Sequence, residues 1–151
     1  VRKNLELVCP KKESKKIEQL LELMELKEYS DAYPKELSGG MKQRVSIMRG
    51  FLYPHDILLM DEPFQALDLK LKAKLIREIY SLHQSMGNTI LFVTHDLDEA
   101  LLLGDEIIIL SPKPTSIVKR FTIDASQKER GLENMQSIKE DMTKILNHAS
   151  I

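Results

Sequence analysis

Ile57-Leu58-Leu59-Met60-Asp61-Glu62-Pro63 is the stretch around which the chain is organised. Four apolar residues in a row, bracketed by Pro54 and Pro63, predict a short strand buried on both faces, as strands of parallel sheets are. Asp61 and Glu62 follow where such a strand leaves its sheet. Ligands of open α/β sheets bind in the crevice beyond the carboxyl ends of the strands. Two carboxylates there can divide the work, one holding a hydrated divalent cation and the other polarising a water. A solvated strand end is the competing reading of this stretch alone, and the flanking sequence weighs against it.

Downstream, Phe64 to Asp68 reads as a loop, and a helix is expected from Leu69 to Met86, with Leu71, Leu75, Ile79 and Leu82 on one face. Gly87-Asn88 closes that helix as a C-cap. Thr89 to Thr94 predicts a second buried strand, which delivers Thr94, His95 and Asp96 to the same sheet edge as Asp61. Asp96 with Glu99 resembles a capping pair for a helix running through Leu103. Glu106 to Leu110 is a third strand, and Ser111-Pro112-Lys113-Pro114 turns the chain into Ile117 to Ile123 as an antiparallel partner. Met135, Ile138, Met142, Ile145 and Leu146 mark a last amphipathic helix.

Upstream, residues 1–9 read as a short extended segment, broken at Cys9-Pro10-Lys11-Lys12. Ile17, Leu20, Leu21 and Met24 predict a helix from Glu13 to Lys27, followed by a polar connection from Tyr29 to Glu36. In Leu37-Ser38-Gly39-Gly40-Met41-Lys42-Gln43-Arg44 the glycines precede a helix face of Met41, Val45, Met48 and Leu52. Ser38-Gly39-Gly40 is then a compact turn at a helix N-terminus, where free N–H groups and the dipole favour an anion and glycine lets it come close. An N-cap without ligand is the plainer alternative. Strand, helix, strand, helix, strand is the order of a parallel sheet with crossover helices.

Composition narrows the class. A chain of 151 residues suffices for one domain with a core. The formal net charge of −1 gives no basic excess, so nucleic acid is not expected as a partner. No apolar run approaches the roughly 18 residues of a membrane span. The single cysteine, Cys9, excludes an intrachain disulfide and suits a reducing compartment.

Together the motifs resemble those of the ATP-hydrolysing subunit of ABC transporters. Leu37 to Arg44 is similar to that family's signature motif, and Ile57 to Pro63 to its Walker B strand with the catalytic glutamate. Ala66-Leu67-Asp68 is similar to its D-loop, and Val93-Thr94-His95-Asp96 to its switch histidine. Tyr33-Pro34-Lys35-Glu36, Asp61-Glu62-Pro63-Phe64 and Asp96-Leu97-Asp98-Glu99-Ala100 look like bacterial importers of the nitrate, sulfonate and taurine group. The resemblance implies an α/β fold of P-loop NTPase (RecA-like) type, a parallel sheet with a helical subdomain. Residues 1–50 would be the helical subdomain with the signature, 51–124 the C-terminal part of the ATPase core, and 125–151 a C-terminal amphipathic helix.

The same resemblance implies the cofactors ATP and magnesium and a set of roles. Asp61 would orient the metal through its water shell, Glu62 would polarise the attacking water, and His95 would contact the γ-phosphate or that water. Ser38, Gly39 and Gly40, with Gln43 of the same motif, would bind ATP held by the second subunit of a head-to-tail dimer. Asp68 would sit at the dimer seam. The implied partners are transmembrane permease subunits and, indirectly, an extracytoplasmic substrate-binding protein, with the ATPase on the cytoplasmic face of the membrane. Alternatives from other classes are a soluble non-transport ABC ATPase of DNA repair or translation, and a truncated regulatory module without catalysis.

Departures from the pattern matter as much. The phosphate loop Gly-x-x-x-x-Gly-Lys-Ser/Thr is absent, and no glycine in the chain is followed by lysine. The glutamine loop is absent too. The sequence is therefore expected to be the C-terminal part of a subunit truncated at its N-terminus. Alone, it is expected neither to bind ATP tightly nor to hydrolyse it. In the family, the phosphate-loop strand lies between the strand before His95 and the strand through Ile107. Without it, unpaired edges, bare apolar surface and self-association are expected. Gln65 stands where the importers carry glycine, and Met48 and Gly50 replace small residues.

Overall fold

The computed structural model describes residues 1–9, 13–65, 67–123 and 131–149. Pro10, Lys11 and Lys12 of the expected break, Ala66 of the expected D-loop, and the link 124–130 lie outside them. The chain divides into two compact units, Val1–Val93 and Thr94–Ile151.

The first unit begins with a helix, α1 (Arg2–Glu6), where an extended segment was expected. Tertiary contacts override the weak local preference. Leu5 is fully buried, the Arg2 amide donates to the Ser30 carbonyl at 2.7 Å, and the Arg2 guanidinium bonds Glu18. That bond holds the Glu18 carboxyl below its ordinary range and raises the guanidinium. Helix α2 (Ser14–Leu23) buries Ile17, Leu20 and Leu21 as the spacing predicts, but stops short of Lys27. It ends in a Schellman arrangement: Glu25 turns left-handed at φ 54°, and the Leu26 amide reaches back to the Leu21 carbonyl at 2.8 Å. Leu26, at the position where an apolar residue usually accompanies this cap, is fully buried.

Helix α3 (Gly39–Leu52) follows, burying Met41, Ile47, Met48, Phe51 and Leu52. Strand β1 (Ile57–Asp61), helix α4 (Leu69–Met86) and strand β2 (Thr89–Val93) then form a β-α-β unit. The strands are parallel, with Ile57 opposite Thr89 and Asp61 opposite Val93. Leu75, Ile76, Ile79 and Tyr80 bury one face of α4, and Gly87 ends it left-handed at φ 65°. Glycine suits that position because a side chain would strain it.

Burial of both faces of β1 and β2 is not what the structure shows. Ile57 and Leu59 are 61% and 69% exposed, and Leu91 and Val93 are 57% and 59% exposed. The alternate residues Leu58, Met60, Ile90 and Phe92 are half-buried. Leu58 lies so close to α3 that a Cβ on Gly50 would meet its Cδ1 at 3.0 Å. A short apolar run does not by itself separate one-sided from two-sided burial. Leu59→Lys is accordingly expected to change unfolding free energy by no more than about 0.5 kcal/mol. A loss of several times that in denaturant titration would place Leu59 in a core.

The second unit holds α5 (Leu97–Leu103), β3 (Glu106–Leu110), β4 (Ile117–Thr122) and α6 (Gln136–Ala149). β3 and β4 form the expected antiparallel pair, from Glu106 opposite Thr122 to Leu110 opposite Ile117, with a register shift between Ile109 and Leu110. Leu101, Ile107, Ile109, Ile123, Met135 and Met142 make its core, with Ile138, Ile145 and Leu146 of α6 against it. Strand β3 does not extend the parallel pair: among the described residues β1–β2 and β3–β4 are separate two-stranded sheets.

Candidate functional site

β1 ends on Asp61, whose side chain is exposed. The ladder continues one residue further, because the Glu62 amide donates to the Val93 carbonyl at 2.9 Å. Glu62 does this at φ 43°, in the left-handed region that residues other than glycine seldom enter. The turn beyond it is tightly held. Gln65 N–H donates to the Glu62 carbonyl at 3.3 Å, Pro63 is buried, and Phe64 is 1% exposed.

From α3, the Gln43 amide donates to the carbonyls of Glu62 and Pro63, each at 3.3 Å. Gln43 thus ties the helix of the glycine turn to the acidic strand end. The family pattern assigns this residue to nucleotide, and here its Nε2 is engaged by main chain. Gln43 lies one helical turn from Gly39 and Gly40, on the same side of α3. A cavity of about 290 Å³ opens beside it, lined by Gln43, Asp61, Glu62 and Gln65.

At the start of α3, Ser38 is the N-cap, its Oγ accepting from the Met41 amide at 3.2 Å. Gly39 is exposed, and a Cβ there would meet nothing within 4 Å, so no packing demand explains the glycine. Gly40 is half-buried in the first turn. Helix starts carry N–H groups without intrahelical acceptors, of which Ser38 satisfies one. The helix is anchored elsewhere by Arg44, whose Nη1 donates to the Met24 carbonyl at 2.5 Å.

Asp68 caps α4, its Oδ1 accepting from the Leu71 amide at 3.0 Å, and is exposed. His95 is exposed and belongs to the second unit, two residues after the end of β2. The first unit therefore brings together Gln43, Asp61 and Glu62, with Ser38, Gly39 and Gly40 on the helix that carries Gln43. Two residues that the motifs did not single out for the site also matter. Gln65 lines the cavity, and Glu99 is a buried carboxylate.

Among the described residues no three His, Cys, Asp or Glu side chains gather into a metal cage. Asp61 with Glu62 is a poor fit for a bare ion. It suits magnesium, which keeps most of its waters and takes one or two carboxylates together with substrate phosphates.

The ABC transporter family model matches residues 1–65, which include the glycine turn and the acidic strand end. The chain is 40% identical to the taurine import ATP-binding protein TauB of Rhizobium johnstonii, over 80% of this chain and 46% of that protein. It is also 40% identical to the aliphatic sulfonates import ATP-binding protein SsuB of Bacillus subtilis, over 85% of this chain and 51% of that one. Among solved structures, it is similar to a dimeric ATP-binding cassette in a post-hydrolysis state bound to ADP and Pi. The TM-score is 0.63, with 31% identity over 74% of this chain and 47% of that one. An archaeal ribosome recycling factor, aABCE1, superposes with TM-score 0.70 and 27% identity over 80% of this chain and 23% of that one.

The fold is that of a P-loop NTPase-like α/β protein, similar to an ATP-binding cassette of known structure. The chain belongs to the ABC transporter family, and the curated relatives named above are ATP-binding subunits of importers. It spans about half the length of the taurine and sulfonate relatives.

Proposed function

We propose that this chain forms the signature and Walker B portion of an ATP-hydrolysing importer subunit of the taurine, sulfonate and nitrate group. The observation that carries the proposal is the double hydrogen bond from Gln43 to the carbonyls of Glu62 and Pro63. It fixes the signature helix and the acidic strand end as one rigid piece, so that nucleotide contacts on one are felt at the other.

The roles follow from charge and position. Phosphoryl transfer needs positioned groups around the γ-phosphate and an in-line water more than covalent chemistry. Asp61 would hold hydrated magnesium, and Glu62 would polarise the attacking water. Magnesium, when bound, neutralises charge on the terminal phosphates. Ser38, Gly39 and Gly40 offer helix N–H groups to the γ-phosphate of ATP held by the second subunit of a head-to-tail dimer. His95 faces that phosphate or the water, and Asp68 lies at the seam while capping α4. Permease subunits receive the motion at the cytoplasmic face of the membrane, and a substrate-binding protein supplies them from outside. Among the described residues no helix is long and apolar enough to cross a membrane.

The likeness to a ribosome recycling factor favours a second reading, a non-transport ABC ATPase. The higher identity to import subunits favours the first.

The test compares the 151-residue chain with a subunit of full family length that contains it. Without Gly-x-x-x-x-Gly-Lys-Ser/Thr the chain lacks the lysine and most of the N–H donors that hold β- and γ-phosphates. A fluorescent magnesium–ATP analogue should show no micromolar binding to the short chain, and the long one should hydrolyse ATP. Hydrolysis stimulated by permease and substrate-binding protein supports the importer, and stimulation by ribosomes the second reading. Micromolar affinity or turnover by the short chain would contradict the division of labour proposed here.

A further inference from the structure

Among the described residues, Glu99 is the charged residue whose side chain is buried, at 3% exposure, and the roles above make no use of it. Its surroundings give it one. Glu99 Oε2 accepts a hydrogen bond from the Thr94 hydroxyl at 2.5 Å. The Thr94 Oγ1 in turn accepts from the Asp96 amide at 3.0 Å, closing a tight turn around His95. On the far side, the Asp96 carboxylate accepts from the amides of Asp98 and Glu99, at 2.9 and 3.2 Å, and so fastens the turn to α5.

A hydroxyl has one proton and two lone pairs, and its rotation is otherwise free. By taking the proton, the Glu99 carboxylate leaves a lone pair aimed at the Asp96 N–H. The capping pair expected from Asp96 and Glu99 is thus widened to include Thr94, with the histidine backbone enclosed. Packing alone supplies no reason for a carboxylate here, because burying one is unfavourable unless it is hydrogen-bonded.

We propose that Glu99 is a positioning residue which, through the Thr94 hydroxyl, sets the backbone of His95. This rests on reading His95 as the phosphate-facing histidine of the ATPase. Side-chain size is not what matters in this role: an acceptor at position 99 and a hydroxyl at position 94 are.

The test is solution NMR of the 151-residue chain without nucleotide. In Glu99→Leu and Thr94→Val, exchange of the Asp96 amide should speed up about tenfold, the scale of one lost hydrogen bond. The His95 ring resonances should move toward those of an unstructured histidine. Glu99→Gln and Thr94→Ser keep an acceptor and a hydroxyl, and should retain both signals. The amides of Ile107 and Ile109 report in each variant whether the unit is still folded. If Glu99→Leu does not fold, Thr94→Val carries the comparison, because that side chain is only half-buried. Unchanged His95 and Asp96 signals in folded Thr94→Val would overturn the proposal. So would conservative variants as disruptive as the apolar ones, since that outcome leaves packing alone. No nucleotide enters the measurement, so failure here leaves the ATPase reading to its own turnover experiments.

Discussion

Glu62→Gln will stop hydrolysis and spare nucleotide-driven pairing of subunits. In a subunit of full family length, the expected loss in turnover is about 10²- to 10⁴-fold, the usual contribution of a positioned general base. Glutamine has the size of glutamate and the same preference against left-handed backbone. The 2.9 Å bond from the residue 62 amide to Val93, and the two bonds that residues 62 and 63 accept from Gln43, involve main-chain atoms and should persist. The substitution therefore removes the proton acceptor and little else. ATP-bound dimers should accumulate on size exclusion, because binding still closes the pair while hydrolysis no longer opens it. Unchanged turnover would move the water-polarising role away from Glu62.

Phe64→Ala should be the most destabilising change next to the site. Phe64 is 1% exposed, and removing a buried aromatic ring costs about 3–5 kcal/mol. That is a large share of the 5–15 kcal/mol that typically separates folded from unfolded domains. Two main-chain turn bonds flank this residue. Gln65 donates to the Glu62 carbonyl at 3.3 Å, and Leu67 to the Phe64 carbonyl at 3.2 Å. The denaturation midpoint of the first unit, followed through its own amide signals, should fall sharply. A change below about 1 kcal/mol, within the range of surface substitutions, would show that the ring is not an anchor.

Much of this was legible in the sequence because local rules and tertiary demands coincide. The period of Leu75 and Ile79 gives α4 its bounds, since the cap at Asp68 and the left-handed Gly87 act on the same segment. The Ser38 cap and the helix behind it follow from four residues of spacing. Misreadings arise where distant contacts decide. Helix α1 depends on Ser30 and Glu18, which the local string does not contain. The apolar run of β1 reports hydrophobicity but not which neighbours exist, so Leu59 was expected inside and lies out. Gln43 shows the same limit within the site. Its place in a motif is visible in one dimension, but its hold on residues 19 and 20 positions away is not. Glu99 was seen as a local cap, and its burial needed the packed unit to become visible.

Among the described residues, two other than glycine occupy left-handed backbone, Glu25 and Glu62, and they differ in kind. Glu25 completes a helix ending that recurs throughout proteins, whereas Glu62 has no helix behind it. Asparagine tolerates that conformation better than glutamate, and relieving such strain is worth on the order of 1 kcal/mol. A selection for heat resistance that ignores transport should therefore enrich Glu62→Asn, and every survivor carrying it should be catalytically silent. The backbone strain thus falls on the residue proposed to polarise the attacking water, and removing the strain removes that carboxylate as well.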